Sequence, residues 1–349
     1  MKYMDLDAID KKILYYLSIN ARLSYSVLSS NVRISRESVK NRMEKMKKNN
    51  TILNFTSITN STYLGLNFYT VYLNFNQMDA SIVKKFEKYI HNHDNVIWAN
   101  KCLGKWNYTM LLLVKDSNDL AENLGELKEN FRELIKEIDF EKVLYEYKFS
   151  SNVPSFFKEI NVKPLKVSKE GSSLYSLLDN KITAIKKKYE PVTIDNTDVK
   201  IIELLSENCR IPLNEMSKKL SLPIENIRYK MKRLAKKKIL ATFWATINYG
   251  LYGFHWYRIR IRTYKIDEET DKELKKYIVN NPNIFWGARI LGQTDIHIDT
   301  RLKDNNKLNV FLENFKKKFE KIIIDYDTII MLNEPNYCDF TKKLYELSI

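Results

Sequence analysis

The sequence predicts an α+β protein built as a tandem duplication, and three observations carry that expectation. Laid over itself at a shift of 188 residues, the distance from Asp10 to Asp198, the chain matches without a gap for about 135 positions. Leu17 falls on Leu205, Asn20 on Asn208, Arg22 on Arg210, Met43 on Met231, Asn60 on Asn248, Gly65 on Gly253, Tyr69 on Tyr257, Trp98 on Trp286, Gly104 on Gly292 and Phe131 on Phe319. Each copy opens with three short helical patterns and continues with strands and helices in the order βαββαβ. Solenoid repeats have periods of roughly 20 to 50 residues, so a far longer period makes each copy a foldable unit rather than one turn of a stack.

In copy one, apolar residues recur at helical spacing at Ile9, Ile13, Leu14 and Leu17, then at Val27, Leu28 and Val32, then at Val39, Met43 and Met46. Copy two repeats this with Val199, Ile202 and Leu205, then Leu213, Met216 and Leu220, then Ile227, Met231 and Leu234. Ser24 and Ser35 have the chemistry of N-caps for helices two and three of copy one. The short breaks at 32–35 and 220–223 have the spacing of a helix-turn-helix, and the β-rich stretches 52–58 and 239–247 would supply a wing. The third helix is basic in both copies: seven Lys or Arg against two Glu over 33–48, and seven against none over 228–238.

After Gly65 come a strand at 66–75, a helix at 79–91, strands at 96–103 and 108–114, a long helix at 117–136 and a strand at 140–149. Copy two repeats the order at 254–264, 267–280, 284–291, 295–302, 305–321 and 322–332. This is the ferredoxin-like pattern, an antiparallel sheet with two helices on one face. Its other face needs a cover, and the second copy is expected to provide it. The expected domains are 1–60, 61–150, 194–248 and 249–349. Residues 151–193 form a linker with a helix at 174–189 that ends in Lys186, Lys187 and Lys188.

With 349 residues, 44% hydrophobic and 29% charged, the chain can fill two to four domains. Cys102, Cys209 and Cys338 have no short spacing, and no apolar run reaches membrane-spanning length. A soluble, cytoplasmic protein of a reducing compartment is expected. The net charge of +15 favours polyanionic partners.

Leu6-Asp7 and Asp10, Asn20-Ala21-Arg22 after the first helix, Leu64-Gly65 entering the first strand, and Gly104 at the turn between strands two and three together resemble the Lrp/AsnC family of regulators, and both copies carry the pattern. The resemblance implies a winged helix-turn-helix that binds double-stranded DNA, followed by a module for dimerisation and small-molecule sensing, often of amino acids. Two departures stand out. Asn50 and Lys238 replace the glycine that usually precedes the wing, and the Gly-x-x-Asp of Gly292 to Asp295 reads Gly104 to Asn107 in copy one.

Two halves on one chain imply an internal pseudo-dimer, with one recognition helix per half-site. A helical wheel anchored on Val39, Met43 and Met46 directs Ser38, Asn41, Lys45 and Lys48 outward, together with Arg36. In copy two it directs Asn226, Tyr229, Arg233 and Lys236. These are the expected DNA-binding residues. In the second sheet, Arg258, Arg260 and Arg262 alternate with Tyr257, Ile259 and Ile261, while Asp295, His297 and Asp299 alternate with Ile296 and Ile298. Pairing of these two rows, with an Arg left over, makes Arg258, Arg260, Gly292, Asp295, His297 and Asp299 the expected effector-binding set. No cofactor, metal or catalytic residue is expected, since His91, His93, His255 and His297 do not cluster in sequence. Two alternatives remain: a sirohaem-decarboxylase-like enzyme of the same fold class, and an oligomerisation partner whose heads do not bind DNA.

Overall fold

The computed structural model describes residues 5–76, 79–162, 192–332, 340 and 342–348. The connector helix expected at 174–189, its basic run and Cys338 lie outside them. Each copy begins with three helices: α1 (Ala8–Ile19), α2 (Tyr25–Val32) and α3 (Arg36–Lys48) in the first, α6 (Asn196–Glu207), α7 (Leu213–Leu220) and α8 (Ile224–Lys236) in the second. Ser24 and Ser35 cap α2 and α3 by accepting from Val27 N and Ser38 N. Copy two starts the equivalent helices after Pro212 and Pro223, where a fixed φ replaces the hydroxyl cap. The tight turn between the second and third helices needs one left-handed residue, and Arg33 (φ 61°) and Ser221 (φ 53°) supply it.

The strand after each third helix pairs outside its own copy. β1 (Ile52–Thr59) and β6 (Leu240–Ile247) run antiparallel to each other, with Thr56 opposite Trp244, so the expected wings merge into one ribbon shared by both copies. Each copy's first helix packs on the other copy's ribbon strand, α1 on β6 and α6 on β1. One core therefore runs through both trihelical units, from Leu14, Leu17 and Met43 to Ile202, Leu205 and Met231.

Copy one continues with β2 (Asn67–Phe75), α4 (Ala80–Asn92), β3 (Val96–Leu103), β4 (Tyr108–Val114), α5 (Ser117–Asn130) and β5 (Ile135–Phe149). The sequence placed the change from helix to strand later, at 136–140. Phe131 and Leu134 are buried against the sheet, which turns the chain out of the helix early, and β5 starts at Ile135. Copy two supplies β7 (His255–Thr263), α9 (Glu268–Asn280), β8 (Ile284–Leu291), β9 (Ile296–Leu302), α10 (Asn305–Phe319) and β10 (Ile323–Met331).

The second copy covers the first sheet by closing with it into an eight-stranded barrel, in the order β10-β3-β4-β2-β5-β8-β9-β7. Among the described residues, closure leaves neither copy's four-stranded sheet with an unpaired edge strand. The helix pairs cover the outside: Phe86, Leu120 and Leu127 against Val71 and Met110 in copy one, Leu274, Ile278 and Phe315 against Ile259 and Ile298 in copy two. The polar rows of the strands therefore face the barrel interior. Among the described residues no helix is long and apolar enough to cross a membrane.

Candidate nucleic-acid interface and barrel cavity

The two trihelical heads are tied by bonds that each copy returns to the other. Arg22 Nη1 donates to the carbonyls of Cys209 and Ile211, and Arg210 Nη1 donates to those of Ala21 and Leu23. Arg22 lies over the Phe243 ring at 5.5 Å and Arg210 over Phe55 at 5.4 Å. Ala21 N donates to Phe243 O and Cys209 N to Phe55 O, each at 2.9 Å. Asn20 and Asn208 hold these corners by accepting from the Arg22 and Arg210 amides. A self-complementary arrangement of this kind is what a two-fold interface requires. The Asn-Ala-Arg motif that marked the family thus works as the clasp between the heads.

Of the expected DNA-binding residues, Arg36, Asn41, Lys45, Lys48, Asn226, Tyr229 and Lys236 are exposed, and Ser38 is half-buried beside its cap. Arg233 departs from the wheel. Its guanidinium turns back to Asp198 and Asp195 at the start of α6, next to Lys230, which lies 2.5 Å from Asp195. The long stem lets the charge reach an acidic partner that a wheel drawn through Cα atoms cannot see. In copy one Arg42 takes this inward role on Asp7 and Asp10, at 2.6 and 2.8 Å, and leaves Lys45 exposed.

The expected effector residues separate into three groups. Arg258 and Asp299 form a buried bidentate pair with both bonds at 2.8 Å, and the Arg258 guanidinium lies between Trp98 and Trp286 at 5.3 and 5.0 Å. Arg260 and His297 belong to a separate buried network. Arg260 pairs with Asp139 at 2.8 Å and Glu141 at 3.1 Å, reaches Asp327 at 3.4 Å and lies 4.2 Å over the Tyr72 ring. His297 Nε2 contacts Glu141 Oε2 at 2.9 Å, while Thr294 donates to Glu141 Oε1 from both its amide and its hydroxyl. Burial and the two nearby guanidiniums hold His297 neutral, and burial of Glu141 is overcome by these donors, so its carboxylate stays ionised. The acids Asp139 and Glu141 come from copy one, across the β5–β8 seam, where a reading confined to strands of one copy could not look.

Gly292 and Asp295, the third group, stand at the β8–β9 turn. A Cβ on Gly292 would lie 2.5 Å from Glu141 Cγ, so only glycine lets Glu141 reach its partners. Asp295 accepts from Thr263 N at 2.7 Å, and its counterpart Asn107 accepts from Phe75 N at the same distance. That backbone anchor needs an oxygen and no charge, so the departure from Asp to Asn leaves it intact.

Between the ribbon and the barrel lies a cavity of about 130 Å3 that sequence reasoning missed, because its wall draws on both ribbon strands and most of the barrel. Pairs of equivalent residues face each other across it: Trp98 and Trp286, Phe68 and Trp256, Thr70 and Arg258, Leu111 and Asp299. Arg301 stacks among Phe285 at 4.7 Å, Trp256 at 5.0 Å and Tyr249 at 5.1 Å. Glu146, which accepts from Trp286 Nε1 at 2.6 Å, has its carboxyl pushed up to about 7 by burial. Among the described residues no group of three His, Cys, Asp or Glu could hold a metal ion.

Residues 6–47 and 194–235 each match the AsnC-type helix-turn-helix domain. The HTH-type transcriptional regulator FL11 of Pyrococcus furiosus is 29% identical over 123 residues, covering 34% of this chain and 78% of that protein. An uncharacterized HTH-type transcriptional regulator of Pyrococcus horikoshii is 32% identical over 120 residues, covering 34% of this chain and 79% of that protein. Over the whole length, the fold is that of the siroheme decarboxylase NirDL, with a TM-score of 0.60 at 12% identity over 97% of this chain and 96% of that one. The matched domain in both halves and these relatives place the chain in the Lrp/AsnC family, with two copies of the family's unit on one polypeptide.

Proposed function

We propose that the chain is a DNA-binding transcriptional regulator that acts as a single-chain pseudo-dimer, with α3 and α8 as its reading helices and a small effector held by the barrel layer. The observation that carries this reading is the reciprocal clasp of Arg22 and Arg210, which fixes two exposed, basic third helices about a pseudo-two-fold axis. A two-fold protein suits a two-fold operator. The heads present different side chains, Ser38 and Asn41 against Asn226 and Tyr229, so the half-sites are expected to differ.

Footprinting of the tagged protein finds the site, and titration at several salt concentrations tests the surface. Binding falls steeply with salt, because phosphate contacts release counterions with a log–log slope of about −0.9 per contact. Replacing Lys45, Lys48 and Lys236 with Ala flattens the slope by about one per residue that meets a phosphate. An unchanged slope places the DNA elsewhere.

A second reading, an enzyme acting on a tetrapyrrole, is favoured by the whole-chain likeness to a siroheme decarboxylase fold. The cavity weighs against it: an engineered protein cavity of about 150 Å3 takes one benzene ring, and about 130 Å3 holds no macrocycle without opening. A visible-absorbance titration with an iron porphyrin separates the two readings, since saturable one-to-one binding supports the enzyme.

A further inference from the structure

Duplication has made the cavity between ribbon and barrel two-faced. Copy one contributes Phe68, Thr70 and Leu111 to its wall, and at the equivalent positions copy two contributes Trp256, Arg258 and Asp299. Arg301 of copy two, the counterpart of Leu113, extends the polar side. Trp98 and Trp286, which both copies keep, also line it and hold the Arg258 guanidinium between them.

The polar side is rich in donors that have nothing to donate to. Trp256 Nε1 is buried without a hydrogen-bond partner, as are the hydroxyls of Thr70 and Thr246. Buried donors left unpaired are costly, so such a wall fits a ligand that brings acceptors. Acceptors already on the wall are in use: Asp299 is held bidentate by Arg258, and Glu146 takes the Trp286 indole N–H. Burial raises the Glu146 carboxyl to about 7, so near neutral pH it is only partly ionised and presents less than a full anionic charge to an amine. The volume, about 130 Å3, admits one ring.

We infer that this cavity is a binding site for a one-ring aromatic carboxylate, with its ring against the apolar wall of Phe68, Leu111 and Val143 and its carboxylate toward Trp256 Nε1, the Thr246 hydroxyl and the Arg301 guanidinium. The site touches Thr59 and Asn60 at the end of β1, and Trp244, Thr246 and Ile247 of β6, so its occupant presses on the ribbon that carries both heads. This deepens the effector part of the proposed function and rests on it only for the consequence. Its test uses the full chain without DNA, so its failure is separate from a failure to bind DNA.

Four tryptophans, Trp98, Trp244, Trp256 and Trp286, line the cavity and make intrinsic fluorescence a direct readout. The full-length protein is titrated with phenylacetate, phenylalanine and toluene, and calorimetry confirms stoichiometry. Phenylacetate is expected to bind saturably at one site per chain, at least about tenfold tighter than phenylalanine or toluene. Trp256→Phe keeps the ring and removes one donor, and is expected to weaken phenylacetate about tenfold. Thr246→Trp, which fills the cavity from the ribbon side, abolishes binding; if that variant does not fold, the Trp256→Phe result decides alone. Absence of saturable phenylacetate binding overturns the site, as does unchanged affinity in Trp256→Phe. Phenylalanine or toluene binding as tightly as phenylacetate overturns the ligand class.

Discussion

In the helix-turn-helix layer the arginine and backbone bonds that cross between the copies have their returns: Arg22 to the carbonyls of Cys209 and Ile211, Arg210 to those of Ala21 and Leu23, Asn60 N to Ile239 O, and Asn248 N to Thr51 O. In the barrel, Arg260 of copy two meets Asp139 and Glu141 of copy one, while the return positions are Tyr72, Asp327 and Ile329, which build no such pair. A homodimer of copy two alone would set Arg260 and His297 around an interior with no Glu141 to receive them. Fusion removes the requirement that a substitution be acceptable twice. The barrel has used that freedom, turning one half cationic and the other acidic, and the heads have kept their two-fold clasp.

The hardest way to break this comparison is to make the barrel symmetric again. Glu141→Ile copies Ile329 into the equivalent position, takes one carboxylate from Arg260 and strands His297 and the Thr294 donors in the interior. Removing one partner of a buried charged network costs about 3 to 5 kcal/mol, and urea denaturation is expected to show a loss of that order. A loss under about 1 kcal/mol would mean that the network contributes little and that the asymmetry is incidental.

The cavity sharpens the contrast through pH. Burial raises the Glu146 carboxyl from 4.5 to about 7, so the folded state prefers it protonated. Its contribution is fully present below pH 4.5 and is lost as the pH rises through 7, up to about 3 kcal/mol at most. Glu146→Gln cannot ionise and is expected to flatten the stability profile between pH 5 and 8 relative to wild type. Parallel profiles would show Glu146 in contact with bulk water.

The clasp offers a test of equality. Arg22→Ala and Arg210→Ala each remove hydrogen bonds from a charged donor to buried carbonyls, at a cost of about 1.5 kcal/mol. Because the geometry is reciprocal, the two losses are expected to match within experimental error. Clearly unequal losses would show that the heads have also diverged.

What could be read in the sequence was whatever depends on near neighbours. Helical spacing and the Ser24 and Ser35 caps gave the trihelical heads, and period-two alternation on β7 and β9 gave the Arg258–Asp299 pair, since those strands adjoin within one copy. Partner choice at long range was out of reach. Alternation in β1 and β6 says that each is a strand, not that they pair with each other, and nothing in β5 announces that closure brings Asp139 and Glu141 to Arg260. Arg233 was misdirected for a related reason, its acidic partners lying on α6. The cavity collects side chains from both copies and has no local signature at all.

Asn50 and Lys238, which stand where the family usually has glycine, give the finest test. Both adopt left-handed backbone, with φ of 59° and 60°, at the turn from the third helix into the ribbon. An L side chain there is strained by about 1 kcal/mol, more for Lys than for Asn, whose short amide tolerates the region better. Glycine relieves that strain but gains chain entropy on unfolding, which takes back about half. Asn50→Gly is therefore expected to change stability by no more than about 0.3 kcal/mol, and Lys238→Gly to stabilise by about 0.5 kcal/mol, both read from thermal unfolding. The backbone at this turn is as two-fold as the clasp, so the side chain alone should set the difference. A larger gain at Asn50 than at Lys238 would show that the two ribbon entries, despite matching angles, carry different loads.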